Sequence, residues 1–216
     1  MSEARDAIFQ AIRGANGPLA AADRIAAEAK ALIGEPAALR PGFTGQNNLD
    51  RFIEKATSER VTATVSQVAA LADVPAEVAA YLDRVALPGM IALQPRAELT
   101  GLDWGDIRCH NEPAANEPVA VTIADLAVAE TGSVVFGSAR DAPTLMNFLP
   151  LHHVVVVRQS LIRRHLEDVF DFVGPGQRNQ PRNLTIVTGT SGTADIEAKN
   201  IRGAHGPRFM HLIIVQ

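Results

Sequence analysis

The 216-residue sequence is short of several residue types on which whole classes of function depend. It has one cysteine, Cys109. That excludes an internal disulfide framework, and any iron–sulfur cluster held by four cysteines of this chain. Cys109 sits in "DIRCHNE", at the end of an expected strand, and reads as a buried, inert thiol. No stretch reaches the roughly 18 apolar residues that span a bilayer. Positive charge is not in excess: 20 Lys and Arg stand against 24 Asp and Glu, a net charge of −4 with pI near 5.9. The densest basic group, Arg158, Arg163 and Arg164, reads as solvated surface. A nucleic-acid footprint is therefore not expected. The opening "MSEARDAIFQAIRG" carries acids and no apolar core, so it is not a secretory leader. A soluble cytoplasmic protein is the expectation, with no repeats and no low-complexity tract.

What is present suits a globular protein. At 47% hydrophobic and 20% charged residues the chain can bury a substantial core, as one large domain or one domain with a small appendage. Residues 1–58 are alanine-rich and helical in pattern. In "SEARDAIFQAIRG", Ala4, Ile8 and Ile12 recur every four residues, with Ser2 as N-cap and Gly14 as C-cap. Residues 21–33 suit a second helix, and "NLDRFIEKATSE" a third after a Pro/Gly-rich connector. The organisation expected is a helical N-terminal extension over residues 1–40 and an α/β domain over 41–216.

From residue 60 onward strands alternate with helices. "RVTATVS" is β-branched, "PAEVAAYLDRV" opens a helix at Pro75, and "GMIAL" and "GDIRCH" are short strands. "VAVTIADLAVAETGSVVFGS" holds two apolar runs around a turn. "HHVVVVR" is the near-continuous run of a strand covered on both faces. "LIRRHLEDVFDFV" reads as an amphipathic helix with Leu161, Ile162, Leu166, Val169 and Phe170 on one stripe. "NLTIVT" and "FMHLIIVQ" close the series. An α/β fold with a mostly parallel sheet flanked by helices follows.

Ligands on an open α/β sheet lie at the carboxyl ends of strands, so the loops after strands are the ones to examine. "TGTSGTADIE" has Gly189 and Gly192 for tight turning, hydroxyls on Thr188, Thr190, Ser191 and Thr193, and backbone N–H groups suited to an anion nest. It lacks the lysine of a phosphate-binding P-loop, and a plain capped turn fits the pattern too. Asp195 and Glu197 would face the same side of an extended segment, where they could serve acid–base work, bind a cation or simply be solvated. "GAHGPR" holds His205 between Gly203 and Gly206, a candidate general base or anion contact, with Arg208 beside it. In "AETGSVVF", Glu130 precedes Thr131 and Gly132. A carboxylate there needs a partner or a polar pocket. His152 and His153 point to opposite faces of a strand start. No His-x-His or His-Glu-x-x-His spacing calls for a metal.

Four motifs in this order, "AETGSVVF", "LPLHHVVVV", "GTSGTADIE" and "GAHGPRFMHLII", closely resemble the LUD domain of the LutC/YkgG lactate-utilisation family. The likeness covers residues 40–216 and is strongest from Thr122 on. It implies a NagB/RpiA/CoA-transferase-like fold. It also implies a role in oxidising L-lactate to pyruvate beside LutA- and LutB-like partners, with the iron–sulfur clusters in the partner subunits and no cofactor in this chain. The family's Glu-Thr-Gly falls on Glu130, Thr131 and Gly132, its strand-start histidine on His153, its Thr-Ala-Asp-Ile-Glu on Thr193 to Glu197, and its His-Gly-Pro on His205, Gly206 and Pro207. Thr190 and Leu151 stand where the family usually has proline.

The resulting candidate set is Glu130, Asp195 and His205 as the polar centre. Around it stand Thr131, Gly132, His153, Gly189, Thr190, Ser191, Thr193, Glu197 and Gly206, holding a small anionic ligand. Two rival readings stay open: a stand-alone enzyme of this fold acting on an anionic or phosphorylated metabolite, and a non-catalytic regulatory or scaffold subunit. A homo-oligomer also stays open.

Overall fold

A computed structural model describes residues 2–17, 20–33, 40–174, 180–194 and 200–216, in two units, Met1–Gly42 and Phe43–Gln216. The first unit holds helices α1 (Ser2–Asn16) and α2 (Ala22–Ile33). Gly14 lies inside α1 and does not cap it. The helix runs on to Asn16, and Gly17 follows with φ +67°, the left-handed conformation that glycine adopts without steric cost. Ile8 and Ile12 of the expected stripe are exposed, as are Phe9 of α1 and Ile25 and Leu32 of α2.

The second unit is built on a six-stranded sheet. Its strands are β1 (Thr64–Val68), β2 (Met90–Leu93), β3 (Arg108–His110), β4 (Val119–Ile123), β7 (His152–Arg158) and β12 (Phe209–Val215), in the order β1-β12-β7-β4-β2-β3. Every pairing is parallel. The three central strands, β12, β7 and β4, are buried on both faces and mostly apolar, as parallel strands under two layers must be. One face packs Val154, Val156 and Ile213 under Val74, Val78, Tyr81 and Leu82 of α4 (Val74–Arg84) and Leu99 of α5 (Ala97–Thr100). Pro75 stands in the first turn of α4.

The other face packs Val155, Val157, Leu212 and Ile214 against Phe52 and Ala56 of α3 (Asn48–Ala56) and against a second sheet. The Asn47 side chain caps α3 by accepting the Asp50 N–H at 2.8 Å. The second sheet has the order β8-β5-β6-β9, from Ile162–Arg163, Leu126–Val128, Ser133–Gly137 and Leu184–Val187. It is antiparallel except where β5 meets β8. The chain crosses from one sheet to the other between Ile123 and Leu126. There Asp125 accepts the Gly137 N–H at 2.6 Å and pairs with Arg96 at 2.7 Å.

Two expectations are corrected. The segment 161–173 is not one helix: Ile162 and Arg163 form β8, and only Asp168–Val173 (α6) is α-helical. Ile162 is drawn into the core between the sheets, Val169 packs beneath the second sheet, and Phe170 is exposed. The apolar residues thus serve two cores and not one stripe. Cys109 is exposed on the edge strand β3. Its thiol pKa is pushed up by partial desolvation, which slows its reaction as a nucleophile without shielding it from solvent. Among the described residues no helix is long and apolar enough to cross a membrane.

Candidate functional site

The site begins where the backbone passes closest to itself. After β9, Gly189 has φ +79°, and a Cβ placed on it would stand 2.0 Å from the Val61 carbonyl oxygen. The Thr190 N–H donates to that oxygen at 3.1 Å. One residue on, the Ser191 N–H donates to Pro207 O at 2.8 Å and Ser191 O accepts the Gly203 N–H at 3.0 Å. The loop is thus stitched to the segments that enter β1 and β12. Those strands are parallel, so the junction lies at the amino edge of the six-stranded sheet and not at the carboxyl ends of its strands. The reason is that β9 belongs to the smaller sheet and delivers its loop to the opposite edge of the larger one. The N–H groups of Thr190 and Ser191 already have backbone partners, so they form no anion nest. Any ligand contact from these two residues falls to their side chains.

Hydroxyls cluster at this junction. Thr62 Oγ1 lies 2.7 Å from Thr190 Oγ1, and Arg202 Nη1 donates to Thr62 Oγ1 at 2.6 Å. Thr62 has φ +59°, a strained conformation for a β-branched residue. Beyond the loop, β10 (Gly192–Ala194) pairs with β11 (Asn200–Arg202), Thr193 opposite Ile201. Asp195 and Glu197 lie outside the described residues.

A cavity of about 510 Å³ opens here, lined by Asn147, Thr188, Gly189, Ser191, His205 and Gly206 among others. His205, Gly206 and Phe148 also line a neighbouring cavity of about 630 Å³ with Glu117 and Leu151, and so stand as the wall between the two. Gly206 faces Ser191 so closely that a Cβ on it would meet the Ser191 Cβ at 3.3 Å.

Glu130, Thr131 and Gly132 form the turn between β5 and β6. Gly132 has φ +71°, and an added Cβ would stand 2.5 Å from the Ala56 nitrogen, so the end of α3 packs directly on this turn. Thr131 Oγ1, Ser133 Oγ and Thr188 Oγ1 make a hydroxyl chain with steps of 2.6 and 2.7 Å. The chain ends at the 510 Å³ cavity. Glu130 lines a third cavity, of about 600 Å³, with Thr131 and Thr188. Its Oε2 accepts the Leu166 N–H at 3.2 Å and lies 3.3 Å from His165 Nδ1. Glu130, His165 and Glu167 each bring one ligand atom within 4.8 Å of the others, the one such grouping among the described residues. Glu167 is exposed, and hydrogen bonding alone accounts for Glu130 and His165. The structure therefore unites Thr188, Gly189, Ser191, His205 and Gly206, and sets Glu130 apart behind the hydroxyl chain.

His153 is fully buried. Its Nε2 bonds Thr122 Oγ1 at 2.8 Å, its Nδ1 has no hydrogen bond among the described residues, and desolvation lowers its pKa to about 3. It is a neutral core imidazole beside Phe136. His152, on the opposite face, lines a separate cavity with Tyr81 and His211. Sequence reasoning missed Thr62, Asn147, Tyr81 and His211 as cavity residues. The alternation at His152–His153 was the one available signal that the two histidines serve different faces.

A family model described as the LUD domain matches residues 98–215. "Lactate utilization protein C" of Anoxybacillus flavithermus is 28% identical over 164 residues, 76% of this chain and 73% of that protein. The protein of the same name from Bacillus subtilis is 30% identical over 116 residues, and "Uncharacterized protein YkgG" of Escherichia coli is 32% identical over 106. Those matches span 48% and 46% of the two relatives and 52% and 47% of this chain. A crystal structure of a DUF162 family protein from Deinococcus radiodurans shares the fold, with a TM-score of 0.57 and 21% identity over 78% of this chain and 96% of that one.

Proposed function

The chain belongs to the LUD domain family, and from that premise we propose that it is a subunit of a lactate-utilising system. In this reading it takes part in oxidising L-lactate to pyruvate with LutA- and LutB-like partners. The names borne by its relatives support the pathway. Lactate gives up two electrons and two protons in becoming pyruvate, and iron–sulfur clusters in partner subunits would accept the electrons. This chain's own residues would hold the small carboxylate.

The observation that carries the site assignment is the closure of the 189–191 loop onto residues 203–207, which puts Ser191, Thr188 and His205 around one cavity. Hydroxyls and an imidazole N–H are the donors a carboxylate needs. In this reading His205 takes the substrate hydroxyl proton as general base, and the C2 proton leaves with the electrons to the partner subunits. The cavity is larger than a three-carbon acid, which leaves room for water or for a partner's side chain.

The test is growth on L-lactate of a strain lacking this gene, complemented by Ser191→Ala, His205→Ala and Asp195→Ala variants. Loss of growth with normal protein levels is expected for His205→Ala. Full complementation by His205→Ala and Asp195→Ala together would sink the site assignment. Turnover of lactate by the purified chain alone would instead favour a self-sufficient enzyme.

A further inference from the structure

A further cavity, of about 550 Å³, lies on the face of the six-stranded sheet covered by α4, at the amino ends of β1, β12 and β7. Its lining residues come from "RVTATVS", "PAEVAAYLDRV", "LPLHHVVVV" and "GAHGPRFMHLII", and none of them belongs to the candidate set around Glu130, Asp195 and His205. Thr64 and Ser66, Phe209 and His211, and His152 form its floor, because alternate residues of three neighbouring strands share one face. Tyr81 and Arg84, from the last turn of α4, form its wall.

The floor and wall are built from flat rings. His211 stacks on Tyr81 with centroids 4.6 Å apart and planes 18° apart, and His152 stacks on Phe209 at 4.5 Å and 24°. His211 is bonded on both nitrogens, Nδ1 with Thr64 Oγ1 at 2.8 Å and Nε2 with Ser66 Oγ at 3.1 Å. His152 is bonded on one, Nδ1 with the Tyr81 hydroxyl at 2.8 Å. Its Nε2 has no hydrogen bond among the described residues. Burial lowers both imidazole pKa values, so the interior is uncharged. Charge stands at the rim. Arg84 is more than half exposed and 3.6 Å from Glu77, which also lies 3.6 Å from His211 Nε2. Arg202 holds the hydroxyl of Thr62, which itself lines the cavity.

These features restrict the occupant. A saturated apolar ligand would desolvate His152 Nε2 and the Ser66 hydroxyl without replacing their hydrogen bonds with water. A bare inorganic anion would meet the electron-rich faces of rings and only Arg84 in return. We infer that the cavity binds a flat heteroaromatic ring carrying an anionic group, the ring against the exposed part of Phe209, its edge bonded by His152 Nε2, and its anion at Arg84, whose guanidinium lies over the Tyr81 ring. The volume lies within the range of small-molecule sites, about 300–1,000 Å³. The inference is independent of the lactate reading, since it uses none of the residues assigned there.

The test titrates the full chain calorimetrically with adenosine monophosphate and flavin mononucleotide, and with adenosine and riboflavin as their uncharged counterparts. At least one nucleotide should bind. Arg84→Gln should weaken nucleotide binding about tenfold and leave the uncharged counterpart within about twofold. His152→Phe keeps the stack, removes the edge nitrogen, and should weaken both forms about fivefold, with a cooperative melting transition showing that it folds although the Tyr81 hydroxyl loses its partner. Failure of all four compounds to bind at millimolar concentration overturns the inference. So does a nucleotide affinity that neither variant changes, or an equal loss of both forms on Arg84→Gln.

Discussion

The Val61 carbonyl oxygen accepts the Thr190 N–H at 3.1 Å and stands 2.0 Å from where a Cβ on Gly189 would be. The same atom that fixes the loop therefore forbids any side chain at its first residue. Gly189→Ala must both adopt a positive φ and push two backbone segments apart. We expect a loss of about 3 kcal/mol or more, against about 1 kcal/mol for Gly105→Ala. Gly105 also has positive φ, +53°, but open space around its Cβ position. Urea unfolding of the two variants gives the comparison; equal losses would mean that the approach to Val61 does not constrain the loop.

Thr62 offers a test of strain at the same junction. Alanine is ordinarily better tolerated than glycine, but at φ +59° the order should reverse. Thr62→Ala and Thr62→Gly lose the same hydroxyl, with its contacts to Thr190 and Arg202. Only Thr62→Gly releases the backbone. We expect Thr62→Gly to be the more stable of the two by about 1 kcal/mol in chemical denaturation. An alanine variant as stable as the glycine variant would show that Thr62 stores no strain.

Much of this fold was legible because burial on two faces leaves a direct mark. Val154–Val157 and Leu212–Val215 read as central strands because no polar residue interrupts them. The second sheet was not legible. Its strands β5 and β6 are short valine-containing buried runs like β4, and the crossing at Asp125 depends on partners, Arg96 and the Gly137 N–H, that are distant in sequence. The segment 161–173 misled because a stripe of apolar residues at helical spacing carries no label saying which core each residue joins. At the site, glycine and histidine spacing picked out Gly189, His205 and Gly206, which the fold brings together. It could not show that the 189–191 loop lands at the amino edge, or that Tyr81 from a separate helix would reach His152.

Cys109 gives a prediction on reactivity. Exposure and reactivity are usually taken together, but here they part. The thiol is accessible, yet partial desolvation pushes its pKa up, and among the described residues its hydrogen-bond partner is the Ile107 carbonyl at 3.7 Å, which offers no positive charge to a thiolate. The native protein should therefore be alkylated to completion by iodoacetamide without denaturant, but slowly at pH 7. The rate should climb through a midpoint above the roughly 8.5 of a free cysteine. A midpoint near 7 would mean an activated thiolate that the geometry does not account for.

Three buried imidazoles act on the acid side of stability: His152, whose pKa burial lowers, and, more strongly, His153 and His211. The pKa of His153 falls to about 3 through desolvation. That of His211 falls to about 4, with burial the main cause, Glu77 opposing it and Arg84 adding to it. Both groups lie near 6.5 when unfolded. Below that value the unfolded chain takes up protons that the folded chain refuses, so the equilibrium moves toward unfolding. Their contribution is complete above pH 6.5 and is lost as pH falls, down to about 4 for His211 and about 3 for His153. At about 1.4 kcal/mol per pH unit and group, the pair should cost on the order of 2–4 kcal/mol between pH 7 and pH 5. Most carboxylates are still ionised across that interval. Urea unfolding at pH 7, 6 and 5 measures the slope. His153→Gln can keep the bond to Thr122 and carries no titrating group. It should flatten the slope by about a third to a half, as should His211→Gln, because His152 contributes in the same direction. A wild-type slope in both variants would mean that neither imidazole is held neutral by the fold.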